Sequence, residues 1–201
     1  MRPATIMLPP GDMEAIGIIE FVHGMCEHRN RYNHVLKYFS DKGFICAIAD
    51  IKGHGENVLT PDDYGYFGED GYKGLIQDID DYTTFLKREY PNLPLILIGH
   101  SMGSLLVRGY IKKHSEKIDA LVVCGSPSEN SFTELGKILI RVMEVFVGNR
   151  YRSPFISRML NGPFEKPFKK DGIKNAWLCS DLYARTVSLN LTYRFGGYKK
   201  Q

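Results

Sequence analysis

An apolar run that ends at a serine flanked by glycines constrains the fold of this chain more than any other stretch. Leu95–Ile98 is followed by Gly99-His100-Ser101-Met102-Gly103, the G-x-S-x-G spacing of a sharp turn between a strand and a helix. A side chain at Gly99 or Gly103 would collide with the strand or the new helix, so both positions favour glycine. Such short patterns also occur by chance, but the strand and helix on either side favour the turn. The stretch predicts a buried strand that delivers Ser101 to the edge of a sheet with its hydroxyl exposed.

Strand-like and helix-like stretches alternate between residues 15 and 125. Nearly continuous apolar runs at Ala15–Val22, Phe44–Ala49 and Ala120–Cys124 are typical of strands that are covered on both faces. Apolar residues at helical spacing fill the intervals, at Tyr32–Phe39, Leu75–Leu86 and Leu105–Ile111. The alternation predicts an α/β fold with a mostly parallel sheet and flanking helices, and it places ligand chemistry at the carboxyl ends of the strands.

The character of the sequence changes after Ser126. Leu135–Val147 is apolar on nearly all sides, and Tyr151–Lys174 is rich in proline, phenylalanine and lysine. We interpret residues 1–125 as the core, residues 126–185 as a helical cap over an acyl pocket, and residues 186–201 as a divergent tail. An ordinary core helix explains Leu135–Val147 equally well. Val187–Phe195 alternates apolar and polar residues, which is strand periodicity.

Composition excludes several classes of function. The net charge of +3 over 201 residues is spread along the chain, so nucleic-acid binding is not indicated. The four cysteines are far apart and form no C-x-x-C pair, which argues against a zinc or redox site and fits a reducing cytoplasm. No apolar run approaches the roughly 18 residues of a membrane span. We expect a cytoplasmic protein without metal or cofactor. The basic excess of the second half is explained more simply by a solvated face than by contact with an anionic lipid surface, and peripheral membrane contact through the cap is the alternative.

Four motifs resemble those of one superfamily. They are His23–His28 with Arg31-Tyr32 after it, Asp50 with Gly53-His54-Gly55, Gly99–Ser104, and Asn175–Leu178. Together they resemble the α/β-hydrolases, and more narrowly the monoacylglycerol lipase and lysophospholipase group, which is also classed with serine aminopeptidases. The resemblance implies an α/β-hydrolase fold and a serine ester hydrolase that needs no cofactor. In such an enzyme Ser101 attacks the ester carbonyl and forms an acyl-enzyme.

The resemblance also implies an oxyanion hole built from two backbone amides. One is the N–H of Met102, at the start of a helix whose dipole favours negative charge. The other is the N–H of Met25, on a loop that His23 and Gly24 support, while His100 supports the turn at Ser101. The family usually has glycine at the position of Cys26, so we expect the side chain there to alter this loop.

The triad partners of Ser101 are not found in this sequence. The fold supplies them in the order serine, acid, histidine, but the histidine that follows Ser101 is His114. It lies thirteen residues along a helix, which is about 20 Å away, so it cannot be the base. We expect the chain to be truncated, with the last strands of the core missing. Glu129 is a weak candidate for the acid, since a solvated loop glutamate explains it equally well.

The other histidines are interpreted as structural. We expect His23 and His54 to hydrogen-bond their own loops, His100 to point away from the Ser101 hydroxyl, and His28 and His34 to be structural or exposed. Three functions therefore remain open: a serine hydrolase of acylglycerols or lysophospholipids, a catalytically inactive fragment that at most binds an acyl chain, and an aminopeptidase-type serine hydrolase.

Overall fold

Five strands form one sheet, and three helices cover its two faces. The computed structural model describes residues 3–127 and scattered positions between residues 151 and 170. In that part of the chain the strands are β1 (Ala4–Met7), β2 (Gly17–Val22), β3 (Phe44–Ala49), β4 (Leu95–His100) and β5 (Ala120–Cys124). The helices of the described core are α1 (Asn33–Ser40), α2 (Gly71–Glu89) and α3 (Met102–His114).

The strand order explains how distant parts of the sequence meet. The order is β1-β3-β2-β4-β5, in which β1 is antiparallel to β3 and all other neighbours are parallel. Because β2 and β4 are parallel neighbours with Val22 opposite Gly99, the segments that follow them leave the same edge of the sheet side by side. The predicted mostly parallel α/β sheet is confirmed.

The sheet separates two apolar cores, and the strands are apolar on both faces for this reason. Successive residues of β2 point to opposite sides, so Ile18 and Val22 join one core while Ile19 and Phe21 join the other. The first core also contains buried residues of α2 and α3, among them Leu75, Ile79, Leu86, Leu106, Val107 and Tyr110. The second core receives Leu36 from α1 together with Cys46 and Ile48 from β3.

Glu20 is a buried carboxyl group within the otherwise apolar strand β2. Its Oε2 accepts a hydrogen bond from the Thr83 hydroxyl of α2 at 2.7 Å. Burial raises the pKa of Glu20 to about 8, so the group is mainly protonated at neutral pH. Glu20 and Ile79 also line a cavity of about 370 Å³ between α2 and the sheet. Ser101 is not among its lining residues.

The predicted elements of residues 15–125 are confirmed with small shifts at their ends. β2 begins at Gly17 rather than Ala15, and α2 begins at Gly71, four residues before Leu75. No helix in the described part of the chain is long and apolar enough to cross a membrane. The predicted cap and tail fall outside the described residues, apart from the scattered positions, and so do Glu129 and Asn175–Leu178.

Candidate active site

Ser101 occupies a strained turn between β4 and α3, which we name the serine turn (Gly99–Gly103). Its φ of 52° and ψ of −116° lie in a region that a residue with a side chain rarely adopts. Backbone hydrogen bonds fix this conformation: Ser101 N–H donates to Cys124 O at 2.9 Å, and Ser104 N–H donates to Ser101 O at 3.0 Å. The sharp turn predicted from the sequence is present.

Both glycines of the serine turn are required because the main chain packs closely there. A Cβ on Gly99 would lie 2.5 Å from Gly103 O and 2.6 Å from a methyl group of Val107. A Cβ on Gly103 would overlap the carbonyl oxygen of Val22 and lie 2.6 Å from that of His23. The turn is therefore pressed against the end of β2, and the predicted steric need for glycine is confirmed.

The segment that follows β2, which we name the β2 loop (His23–His28), lies directly against Ser101. A Cβ on Gly24 would be 3.1 Å from Ser101 Cβ. Met25 comes next and is half-buried, and Cys26 has a φ of 65°. Left-handed backbone is unfavourable for a residue with a side chain, so the glycine that the resemblance led us to expect at this position would relieve strain there. Cys26 strains the loop without preventing it.

The helix that begins after Ser101 offers unpaired amides beside the serine. Met102 is the first residue of α3, and the first four N–H groups of a helix have no partner within the helix. The helix dipole adds partial positive charge at the same end. Met25 and Met102 are thus the residues next to Gly24 and Ser101, which are themselves in close contact.

Glu27 joins three segments around Ser101, although nothing within its motif distinguishes it from the neighbouring residues. Its Oε2 accepts hydrogen bonds from Gly24 N–H at 2.7 Å and from the Tyr32 hydroxyl at 2.9 Å, and His100 Nδ1 lies 3.1 Å away. Arg31 adds a longer ion pair of 3.8 Å to Oε1. Burial alone would raise the pKa of Glu27, but the hydrogen bonds from Gly24 and His100 outweigh burial and hold it below 4.5.

His23 is a fully buried, neutral ring that fixes the β2 loop. Ile51 N–H donates to Nε2 at 2.9 Å, so Nδ1 carries the proton and donates to Gly24 O at 2.8 Å. Burial lowers the pKa of His23 below 6.5. The prediction that His23 hydrogen-bonds its own loop is confirmed.

Asp50 connects the β2 loop to the segment that follows β3. Its buried carboxylate accepts Arg29 N–H at 2.7 Å and Glu56 N–H at 3.0 Å, and it also pairs with the Arg29 guanidinium. Arg29 in turn pairs with Glu56 at 2.6 Å. The Asp50 motif is therefore structural in this part of the molecule. Arg29 itself was not anticipated from the sequence, because its partner Asp50 lies 21 residues further along the chain.

The remaining histidines do not approach the serine hydroxyl. His54 donates to Lys52 O within its own loop, as predicted, and its burial lowers its pKa to about 4. His114 ends α3, where it stacks on Tyr110 and pairs with Asp80 at 3.3 Å. His34 is exposed and His28 is partly buried.

No hydrogen bond joins the Ser101 hydroxyl to a histidine or a carboxylate within residues 3–127. His100 points to Glu27 and Tyr32 instead, as expected for a side chain that faces away from its neighbour's hydroxyl. The described residues also contain no cluster of three metal-ligating side chains. The site therefore presents a strained serine, nearby amides and a polar support, while the proton acceptor is not among the described partners of Ser101.

Known proteins of similar sequence include monoacylglycerol lipases, a phospholipase and a proline iminopeptidase. The monoacylglycerol lipase of Mycolicibacterium smegmatis is 28% identical over 138 residues, which are 67% of this chain and 46% of that protein. The monoglyceride lipase of Homo sapiens is 28% identical over 101 residues, 49% of this chain and 30% of that protein. The crystal structure of a thermostable carboxyl esterase from Bacillus coagulans, in complex with glycerol, superposes with a TM-score of 0.80 at 26% identity and covers 92% of this chain.

The chain spans about half the length of these relatives, from 30% of the human lipase to 60% of the Bacillus esterase. A family described as serine aminopeptidase, S33, matches residues 13–184, which is most of the chain. The chain therefore belongs to the serine aminopeptidase S33 family of α/β-hydrolases, in its monoacylglycerol lipase-like group.

Proposed function

We propose that this chain carries the nucleophile and the oxyanion hole of a serine ester hydrolase that acts on monoacylglycerols or lysophospholipids. The observation that carries the proposal is the strained conformation of Ser101 at the start of α3, with Gly24 packed against it. A strained serine with its hydroxyl clear of the turn is the usual nucleophile geometry of this fold. The lipid substrate is inferred from the names of the related lipases.

The proposed reaction has two steps. Ser101 Oγ attacks the ester carbonyl carbon as a base removes the hydroxyl proton, and the alcohol leaves with a proton when the ester C–O bond breaks. Water then attacks the acyl-enzyme, the acid is released and Ser101 regains its proton. In both steps the negative oxygen is bound by the amides of Met25 and Met102. Removing one such donor typically slows a reaction about 100- to 1,000-fold.

The proposed reaction also needs a base, and no base contacts the Ser101 hydroxyl in the described part of the chain. All six histidines lie within residues 3–127, and none is hydrogen-bonded to the Ser101 hydroxyl there. A histidine base would therefore come from a longer form of the protein. This same observation favours a second function, in which the 201-residue chain binds an acyl chain without hydrolysing it. Contact of residues 126–185 with a lipid surface fits either function.

A fluorophosphonate probe tests the proposal, because it reacts with an activated serine hydroxyl. We expect the probe to modify Ser101 in the 201-residue chain or in a longer form, as located by peptide mass spectrometry. Ser101→Ala should abolish labelling, whereas Ser115→Ala, at an exposed serine after α3, should leave it unchanged. Labelling only in the longer form would assign binding without turnover to the short chain. Absence of labelling in both would refute the hydrolase.

Substrate class is tested with the labelled form. Release of acid from a monoacylglycerol and from a lysophospholipid should exceed cleavage of an aminoacyl amide. A faster reaction with the amide would instead favour the aminopeptidase activity that the family description names.

A further inference from the structure

The two peptide planes on either side of Gly24 are fixed by side chains. Gly24 O accepts the His23 Nδ1 proton at 2.8 Å, and Gly24 N–H donates to Glu27 Oε2 at 2.7 Å. A peptide unit is planar and trans, so its C=O and N–H point in opposite directions. The plane that contains Gly24 O also contains Met25 N–H, and fixing one fixes the direction of the other.

Without the hydrogen bonds of His23 and Glu27, the backbone of the β2 loop would be most flexible at Gly24. Glycine adopts many backbone conformations at similar energy, and no larger residue fits here. An added Cβ would lie 2.8 Å from Glu27 Oε2, 3.1 Å from Ser101 Cβ and 3.3 Å from His100 Nδ1. Position 24 must be glycine because of the close contact with Ser101. Because the glycine backbone is flexible, other groups must hold its conformation. His23 restrains one plane and Glu27 restrains the other.

The Glu27 carboxylate is suited to this restraint because one oxygen serves three partners. Oε2 accepts from Gly24 and Tyr32 and faces His100, so the β2 loop, the start of α1 and the end of β4 are tied to one point. The groups that face the carboxylate are Tyr32, His100 and Arg31, and the buried rings of His23 and His54 interact with it electrostatically. Hydrogen bonds to an ionised group are roughly twice as strong as neutral ones.

We propose that Glu27 is a positioning residue: it holds the peptide plane of Gly24 N–H, while His23 holds the plane of Gly24 O and Met25 N–H, so that the two restraints together fix Gly24 and direct Met25 N–H towards Ser101. Strain at Cys26, whose φ is 65°, makes the restraint necessary, since strained backbone persists only where its surroundings enforce it. This inference rests on the proposed function, because Met25 N–H matters to catalysis only if Ser101 is acylated.

The first test measures the loop without any need for activity. Amide hydrogen exchange is followed by NMR in the 201-residue chain and in Glu27→Ala, Glu27→Gln and Asp41→Asn. Glu27→Ala should accelerate exchange at Gly24 by about 10- to 100-fold, the range expected for a lost hydrogen bond to a charged group. Glu27→Gln keeps an acceptor oxygen but loses the charge, so the acceleration should be smaller, about 3- to 10-fold. Asp41→Asn, which changes an exposed carboxylate that pairs with Lys37, should have no effect.

The same spectra give a signature that a merely structural residue would not produce. In the unmodified chain the Gly24 amide proton shift should follow pH with a midpoint below 4.5 as Glu27 is protonated, and this transition should vanish in Glu27→Gln. Unchanged Gly24 exchange in Glu27→Ala, or a transition that persists in Glu27→Gln, would overturn the proposal. If Glu27→Ala fails to fold, the Glu27→Gln titration decides.

The second test uses the form that the fluorophosphonate probe labels. Glu27→Ala should slow labelling of Ser101 by about 10- to 100-fold, less than the roughly 100- to 1,000-fold cost of losing an oxyanion donor outright, because His23 still holds the plane of Met25 N–H. Glu27→Gln should remain within about 10-fold. Equal labelling rates with a loosened Gly24 would overturn the positioning role. If no form of the unmodified protein is labelled, the proposed hydrolase fails, while the exchange data still decide whether Glu27 fixes the loop.

Discussion

The β2 loop and the serine turn leave neighbouring parallel strands at the same edge of the sheet, yet they are stabilised in different ways. Each contains a residue other than glycine with positive φ, Cys26 at 65° and Ser101 at 52°. In the serine turn the restraint comes mainly from the main chain: Gly103 packs against the carbonyl groups of Val22 and His23, and backbone hydrogen bonds join Ser101 to Cys124 and Ser104. In the β2 loop the restraint is a set of side-chain hydrogen bonds from His23 and to Glu27.

The difference teaches that strained backbone is maintained by two kinds of force with different sensitivities. Close packing tolerates no added methyl group but does not depend on pH. Hydrogen bonds from buried ionisable side chains depend on the protonation state of each group. The predictions below test one side of this contrast at a time.

Gly103→Ala should have the largest effect on the free energy of unfolding, because it disrupts the close main-chain packing of the serine turn. The added methyl group overlaps the Val22 carbonyl oxygen and lies 2.6 Å from that of His23, and main chain cannot move aside as a flexible side chain can. We expect a loss of at least about 3 kcal/mol in the free energy of unfolding, at the upper end for overpacking, measured by urea denaturation. Gly162→Ala serves as the control, because among the described residues the new Cβ would come within 4 Å of Arg158 alone, at 3.9 Å. Equal stability of the two variants would contradict the packing argument.

Lowering the pH should destabilise the protein through the buried histidines beside the β2 loop. Burial lowers the pKa of His54, whose ring contacts that of His23, to about 4, whereas the unfolded chain has the ordinary value of 6.5. The unfolded state therefore binds the proton more tightly, so this stability is present above about pH 6.5 and is lost as the pH falls towards 4. The expected loss between about pH 7 and 4.5 is roughly 2 kcal/mol.

Urea denaturation of the unmodified chain and of His54→Gln at both pH values measures this contribution, because the variant should lose about 2 kcal/mol less. Glu20 acts with the opposite sign, since its raised pKa of about 8 gives stability at low pH that is lost as the pH rises. That contribution is common to both chains and cancels in the difference. His34→Gln, at an exposed position, should behave as the unmodified chain. An equal loss in His54→Gln would show that His54 does not carry the effect.

Substitutions at Cys26 should have the smallest effect and measure the strain that the β2 loop bears. Cys26→Val should be about 1–2 kcal/mol less stable than Cys26→Gly, because left-handed backbone is costly for a residue with a side chain and most of all for a β-branched one. The same pair at Cys124, an exposed position in strand β5, should show the reverse order. Thermal unfolding of the four variants gives both differences. Identical order at the two sites would refute the strain at Cys26.

The fold and the serine turn could be predicted from sequence because their causes are local. Alternating apolar runs determine the strands, and Gly99 and Gly103 are separated from Ser101 by only one residue each. Glu27 could not be singled out, because its contact with His100 spans 73 positions of the chain. Its role exists only when β2 and β4 are neighbours. Glu20 was unexpected for the same reason, since its partner Thr83 lies 63 residues away.

The hydrogen bond from Ser101 N–H to Cys124 O joins the backbone at the end of β5 directly to the backbone of Ser101. Gly125 follows with a φ of 56°, so the chain leaves the sheet one residue after this bond. A force or a bound molecule that displaces residues 124–125 would be transmitted to the Ser101 backbone across one 2.9 Å contact. The segment after β5 and the serine are therefore coupled through the main chain, whatever side chains that segment carries.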